Sequence, residues 1–206
     1  MLSESLIVLD FETTGLSAAQ GDRITEVAAA RIEGDRITDR YESLVNCGVR
    51  VPAFITQYTG ISQRMVDTAP PVAQVMQELG RFIGNTPVVA HNASFDQRFY
   101  NTECELAGLP LRDDAFLCSL RLSRRVYPYL RSHSLGELAR LLGLASGGTA
   151  HRAGADTEVT AGLVLRLAAD LKIRHASLTV DARLLRQIMK TPMASVNARL
   201  VKLAAG

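Results

Sequence analysis

The pattern of apolar and polar positions along the chain changes period several times, and each change predicts an element. Leu6-Ile7-Val8-Leu9 is an unbroken apolar run, the signature of a buried β-strand. Ile24–Ile32 and Ile37–Leu44 are β-compatible too, and Gly34-Asp35 between them is a hairpin signal. These three segments predict an antiparallel start. Pro71 then opens a helix with Val72, Val75, Met76, Leu79 and Phe82 on one face. A short strand, Pro87–Ala90, leads to a helix from Ser94 to Ala107, ended by Gly108 and Pro110. Ala115–Leu120 reads as another short strand, and Ser134 with Glu137 caps a helix ending at Gly143. Val159, Leu163, Leu167 and Leu171 recur every four residues, which gives a helix over Thr157–Leu171 a buried stripe. The order β-β-β-α-β-α-β-α-α is that of an α/β fold, a mixed sheet packed with helices.

From Lys172 the character changes. Arg174, His175, Arg183, Arg186, Lys190, Arg199 and Lys202 outnumber the acids, while Val180, Leu184 and Ile188 keep helical spacing. Residues 172–206 are therefore expected as a C-terminal extension of a domain over 1–171, built of one or two short helices split at Pro192. Such an extension either packs on its own domain or serves as an arm for a protein partner or a nucleic acid.

Composition narrows the class. The chain has 206 residues, close to half of them hydrophobic, with a net charge of +2. That fits one globular domain with at most an appendage. No apolar run approaches the roughly 20 residues that cross a bilayer, so no membrane association is expected. The N-terminus lacks a basic region ahead of an apolar stretch, so a signal peptide is not expected. Cys47, Cys104 and Cys118 are odd in number and show no ligand spacing; reduced, buried thiols of a cytoplasmic protein are the expectation.

The candidate chemistry lies in three clusters. Asp10 and Glu12 alternate with Phe11 at the end of the first strand, so both carboxylates point one way. Two such groups repel each other unless a cation or a proton sits between them, and oxygen ligands favour Mg²⁺ or Mn²⁺. The second cluster is His91-Asn92-Ala93-Ser94-Phe95-Asp96. Ser94 with Gln97 has capping-box spacing, which places Asp96 in a first helical turn, where the macrodipole favours an anion. The third is His151-Arg152-Ala153-Gly154-Ala155-Asp156. Residues five apart sit about 140° round a regular helix, so His151 and Asp156 cannot face one site from its middle. Gly147-Gly148 and Gly154 point to a loop entering the following helix, with Asp156 fixed near its start and His151 on a mobile arm. A fixed carboxylate suits a metal ligand, and an imidazole suits a general base. Separately, Arg121, Arg124, Arg125 and Arg131 cluster with Tyr127 and Tyr129 between them. Arginines beside aromatics suit a single-stranded nucleic acid, and equally describe a solvated connection.

Asp-x-Glu-Thr-Thr-Gly, His-Asn-x-x-Phe-Asp and His-x-x-x-x-Asp, in that order, resemble the three motifs of the DEDDh 3′-to-5′ exonucleases. With Thr13 after Glu12, the first motif is more similar to that of epsilon, the proofreading subunit of bacterial DNA polymerase III, than to oligoribonuclease. The resemblance covers about Ser5–Leu171 and implies a ribonuclease-H-like five-stranded sheet, three antiparallel strands followed by parallel ones. Asp10, Glu12, Asp96 and Asp156 would then hold two divalent ions about 4 Å apart, with His151 taking the proton from the attacking water. It implies further that Thr13, Thr14 and Gly15 run along the terminal nucleotide, that Leu16 wedges against its base, and that His91, Asn92 and Phe95 flank it. The expected substrate is a single-stranded or frayed DNA 3′ end, released as 5′-mononucleotides; an RNA-trimming exonuclease would use the same chemistry. A non-catalytic binding protein on this fold would have lost an acid or the histidine, and none is missing. In epsilon a tail tethers the exonuclease to its polymerase. Here there is no long linker, and Gln187-Ile188-Met189-Lys190 lacks the aromatic of a clamp-binding motif.

Overall fold

The computed structural model describes residues 1–144 and 151–205. One five-stranded sheet has the order β3-β2-β1-β4-β5. Strands β1 (Leu6–Thr13), β2 (Ile24–Glu33) and β3 (Arg36–Leu44) are antiparallel neighbours. Strands β4 (Val88–Ala90) and β5 (Leu117–Cys118) add on in parallel beside β1. The three-antiparallel-then-parallel sheet is thus the one expected. β2 is buried at almost every position, whereas β3 is largely exposed, as an edge strand must be.

Helices complete the core. Ala28 and Ala30 of β2 stand opposite Asp10 and Val8 of β1, and residues paired in this way share a sheet face. Helix α7 (Ala153–Arg174) lies against this part of the sheet, and Thr157 donates its hydroxyl to the Ala28 carbonyl at 3.2 Å. Helices α3 (Val72–Ile83) and α4 (Ser94–Leu106) add the remaining large apolar surfaces. The α3 stripe ends on Ile83 rather than Phe82. Phe82 packs beside Tyr41, and the Arg31 guanidinium lies 5.4 Å over its ring.

Several local expectations change. α4 begins at Ser94 without the capping box: no side chain caps it, and Gln97 instead binds the Asp114 carbonyl and the Phe116 N–H ahead of β5. Ser134 occupies the N-cap of α6 (Leu135–Leu142) but pairs with Ser132, while Glu137 pairs with Arg140. The strand expected over Ala115–Leu120 shrinks to two residues, and Ser119–Val126 becomes helix α5. The buried stripe of α5 is Ser119, Leu122, Ser123 and Val126. Two of those four positions are serines, so no apolar period marks the helix. Helices α1 (Ala53–Thr59) and α2 (Gln63–Asp67) also escaped the pattern; they enclose a small second core of Cys47, Val51, Ile55, Ile61 and Val66. All three cysteines are buried and free.

The boundary placed at residue 171 falls inside α7, which runs on to Arg174. Beyond it, α8 (Ala182–Lys190) and α9 (Val196–Ala204) flank a turn after Pro192. α8 sinks Leu184, Leu185, Ile188 and Met189 into the main core. Met189 sulfur accepts the Cys118 N–H at 3.2 Å, so α8 covers the open edge of β5. Glu4 caps α8 from the other end of the chain by accepting the Ala182 N–H.

Candidate active site

Three elements bring the acidic residues together. The end of β1 carries Asp10 and Glu12, the first turn of α4 carries Asp96, and the first turn of α7 carries Asp156. Asp10, Glu12 and Asp156 offer carboxylate oxygens that all lie within 4.8 Å of one another. Ligands on opposite sides of a Mg²⁺ lie about 4.2 Å apart at the usual bond length, so the cluster fits a hard divalent cation. Asp96 lies beside them, its Oδ1 accepting the Phe11 N–H at 3.3 Å.

Crowding of like charge shows in the titration of these groups. Burial, followed by repulsion from Asp96, Glu12, Asp156 and Glu26, pushes Asp10 well above the usual carboxylate range. Burial lifts Asp96 to about 8, against the pull of two backbone N–H groups. Glu12 is raised to about 7 by burial and by Asp156 and Glu26, with Arg152 opposing. Asp156 is raised by burial, while His151 holds it down. A bound cation would invert this logic and favour every ionised form.

Glu26 and Arg152 organise the third cluster, and neither was marked by sequence. Glu26 stands directly opposite Glu12 on β2, a like-charge cross-strand pair that is unfavourable alone. The Arg152 guanidinium binds both Glu26 oxygens from Nε at 3.1 Å and one again from Nη2. Glu26 also accepts the Ala153 N–H at 2.9 Å and so caps α7. That remote cap is why α7 starts at Ala153, four residues earlier than its apolar stripe indicated. His151 precedes the latch in a left-handed conformation, φ 63°. Its ring stacks on Tyr58 of α1 at 3.9 Å between centroids. The expected Gly147-Gly148 loop lies outside the described residues.

The loop after Glu12 is braced from within. The Thr13 hydroxyl donates to the Gly15 carbonyl at 2.6 Å, and the Thr14 hydroxyl accepts the Arg23 N–H at 3.0 Å. Asp22 accepts the Ser17 N–H. A Cβ on Gly15 would fall 2.4 Å from the Asp22 carboxylate and would push it off the Ser17 N–H. Leu16 at its tip is 82% exposed. On the other flank, His91 binds Ser119 Oγ through Nδ1 at 2.9 Å and the His133 carbonyl through Nε2 at 3.1 Å. Burial lowers its pKa to about 4, so the ring is neutral at neutral pH. Both its nitrogens serve the fold. Asn92 is exposed with φ 65°, and Phe95 is half-buried against Phe99.

A family model described as exonuclease, RNase T, matches residues 7–164 of the chain. The chain belongs to this exonuclease family. The 3′-5′ exonuclease DinG of Bacillus subtilis is 38% identical over 172 residues, which is 84% of this chain and 18% of DinG. DNA polymerase III PolC-type of Bacillus cereus is 36% identical over 171 residues, 83% of this chain and 12% of that protein. The chain therefore spans less than a fifth of the length of these relatives. Exonuclease X, solved in complex with 5′ overhanging duplex DNA, superposes with a TM-score of 0.70 at 25% identity, covering 89% of this chain and 99% of that one.

In this exonuclease-family chain the sequence-expected acids therefore do assemble, and the arginine cluster does not act as one group. Arg121 donates to the Met189 carbonyl and Arg125 to the Thr191 carbonyl, so both dock the C-terminal extension. Tyr127 is buried with its hydroxyl on Asp170 at 2.8 Å, out of reach of a base. Arg124 and Arg131 remain, lining a groove beside His91 and Asn92. Tyr58, stacked on His151, is a neighbour of the site that none of the three motifs includes.

Proposed function

We propose that this chain removes 5′-mononucleotides from the 3′ end of single-stranded or frayed DNA by metal-dependent hydrolysis of the last phosphodiester. The observation that carries this reading is the convergence of Asp10, Glu12 and Asp156 within 4.8 Å, beside Asp96 and His151. Asp10, Glu12, Asp96 and Asp156 would hold two divalent ions, Mg²⁺ or Mn²⁺, which when bound supply an acidified water and neutralise charge on the departing 3′-oxygen. His151 accepts the proton of the attacking water. The Arg152–Glu26 latch and the Tyr58 stack fix the arm that carries the imidazole. Leu16 and Tyr58, both largely exposed beside the site, offer apolar surfaces to the terminal bases. Thr13, Thr14 and Gly15 run along the terminal nucleotide through their backbone, because the threonine hydroxyls are committed within the loop. His91, Asn92 and Phe95 flank it on the other side.

DNA as the substrate is supported by the name of one relative, DNA polymerase III PolC-type, and by the DNA complex of exonuclease X. No helix among the described residues is long and apolar enough to cross a membrane. The apolar face of α8 is spent on the main core, so a polymerase or other protein partner would meet the exposed Arg183, Lys190, Arg199 and Lys202. Digestion of matched 5′-labelled DNA and RNA single strands with and without Mg²⁺ tests activity, polarity and sugar preference together. A Mg²⁺-dependent ladder shortening from the 3′ end, faster on DNA, is the expected result. Internal cuts, or equal cleavage after metal chelation, would overturn the reading.

A further inference from the structure

We infer that Arg124 and Arg131 form a phosphate track for the single strand upstream of the scissile bond, a reading that rests on the 3′-exonuclease function proposed above. The groove they line encloses about 620 Å³ and is bordered also by His91, Asn92, Leu120 and His133. Its position follows from the sheet. β1 and β4 pair Val8 with Val89, and continuing that register sets His91 level with Asp10, one strand over. β4 and β5 pair Ala90 with Cys118, which sets Ser119 level with His91, two strands from Asp10 and so about 10 Å away. α5 starts at that point and carries Arg124 past it. The groove thus opens from the acidic cluster across the C-terminal ends of the parallel strands.

Its charge is uncompensated. Among the described residues no acidic side chain lines it. Arg124 and Arg131 are exposed, and neither makes an ion pair among the described residues. Their neighbours Arg121 and Arg125 are instead tied to carbonyls of the C-terminal extension. The base of the groove is also held in place. His133 binds the Tyr127 carbonyl through Nε2 at 3.1 Å and gives its own carbonyl to His91. That closes residues 127–133 into a fixed loop bearing Arg131. Two unpaired guanidinium groups on a rigid rim, leading away from a carboxylate cluster, suit the regularly spaced phosphodiesters of one strand.

The test compares two substrates of the full chain. The p-nitrophenyl ester of thymidine 5′-monophosphate has no upstream phosphate, whereas a decathymidylate has several. Arg124→Ala and Arg131→Ala should each raise KM for the decathymidylate about fivefold and make its salt slope shallower by about 0.7, the single-strand value per phosphate contact. Their kcat, and turnover of the nitrophenyl ester, should stay at the wild-type level. Arg121→Ala should lower Tm and leave the salt slope alone. An Arg124→Ala, Arg131→Ala double variant with unchanged KM and slope would overturn the track while the nuclease reading stood. If the wild type hydrolysed neither substrate, the nuclease reading would fail instead. Anisotropy of labelled decathymidylate in Ca²⁺ would still decide the track by the same slopes.

Discussion

Asp96 and Glu103 lie two turns apart on one side of α4, both buried, both accepting a backbone N–H from the sheet. Their company differs. Glu103 meets the Arg23 guanidinium through two bonds of 2.9 and 2.7 Å, a closed charge pair that ties β2 to the helix. Asp96 meets Asp10 and Glu12, and burial, with repulsion from Glu12 added to it, lifts its pKa to about 8. Burial of a carboxylate is therefore no mark of a site by itself. An excess of one sign, left without a protein counter-charge, is the mark.

The two carboxylates should differ most in activity. Asp96→Asn should take Mg²⁺-dependent cleavage to the uncatalysed background with the fold intact, while Glu103→Gln should retain it; equal losses in oligonucleotide digestion would erase the distinction. His151→Ala should slow single-turnover cleavage by about 10² or more, the range of a general base. Arg152→Ala, which frees the arm and removes the positive charge facing Glu12, should slow it by about tenfold, as expected for a partner that orients a reacting group. Rescue of that variant by Arg152→Lys should be partial, since lysine cannot reproduce the two-pronged grip on Glu26.

The two carboxylates should also differ in what they do to stability. Glu103→Ala should cost about 3 kcal/mol in denaturant unfolding, the low end for a broken buried pair because Arg23 keeps 22% exposure. Asp96→Asn should do the reverse in metal-free buffer. Its folded pKa of about 8 exceeds the ordinary 3.8, so the folded state holds protons longer than the unfolded one across that window. Stability of the metal-free protein should then fall as pH rises from about 4 to about 8, with Glu12, at about 7, adding to the loss. Thermal melts at stepped pH should show this decline, MgCl₂ should reverse it, and Asp96→Asn should flatten it.

Legibility in the sequence differs from element to element. Asp10 and Glu12 were placed on one face by strand alternation alone, and Asp96 in a first turn by the pattern around it. The reason offered for that turn was mistaken, because Gln97 serves the entry to β5 and not a capping box. α5 was invisible because serines fill half its buried stripe, their hydroxyls satisfied by Ala90 and Leu120 carbonyls. The arginine segment read as one basic patch, yet two of its four guanidiniums hold carbonyls near the end of the chain, more than sixty residues away.

By itself the sequence determined the order of the five strands and of helices α3, α4, α6 and α7, the three motifs and the identity of the acids, because hydrophobic period and local side-chain chemistry are properties of neighbouring residues. Tertiary structure alone decided where α7 begins, which arginines stay free, and what holds His151. Those outcomes depend on Glu26 reaching Ala153 and Arg152, on Tyr58 meeting His151, and on Met189 meeting Cys118. Each partner lies many residues from the group it satisfies. Only the folded sheet brings them within hydrogen-bonding or stacking distance.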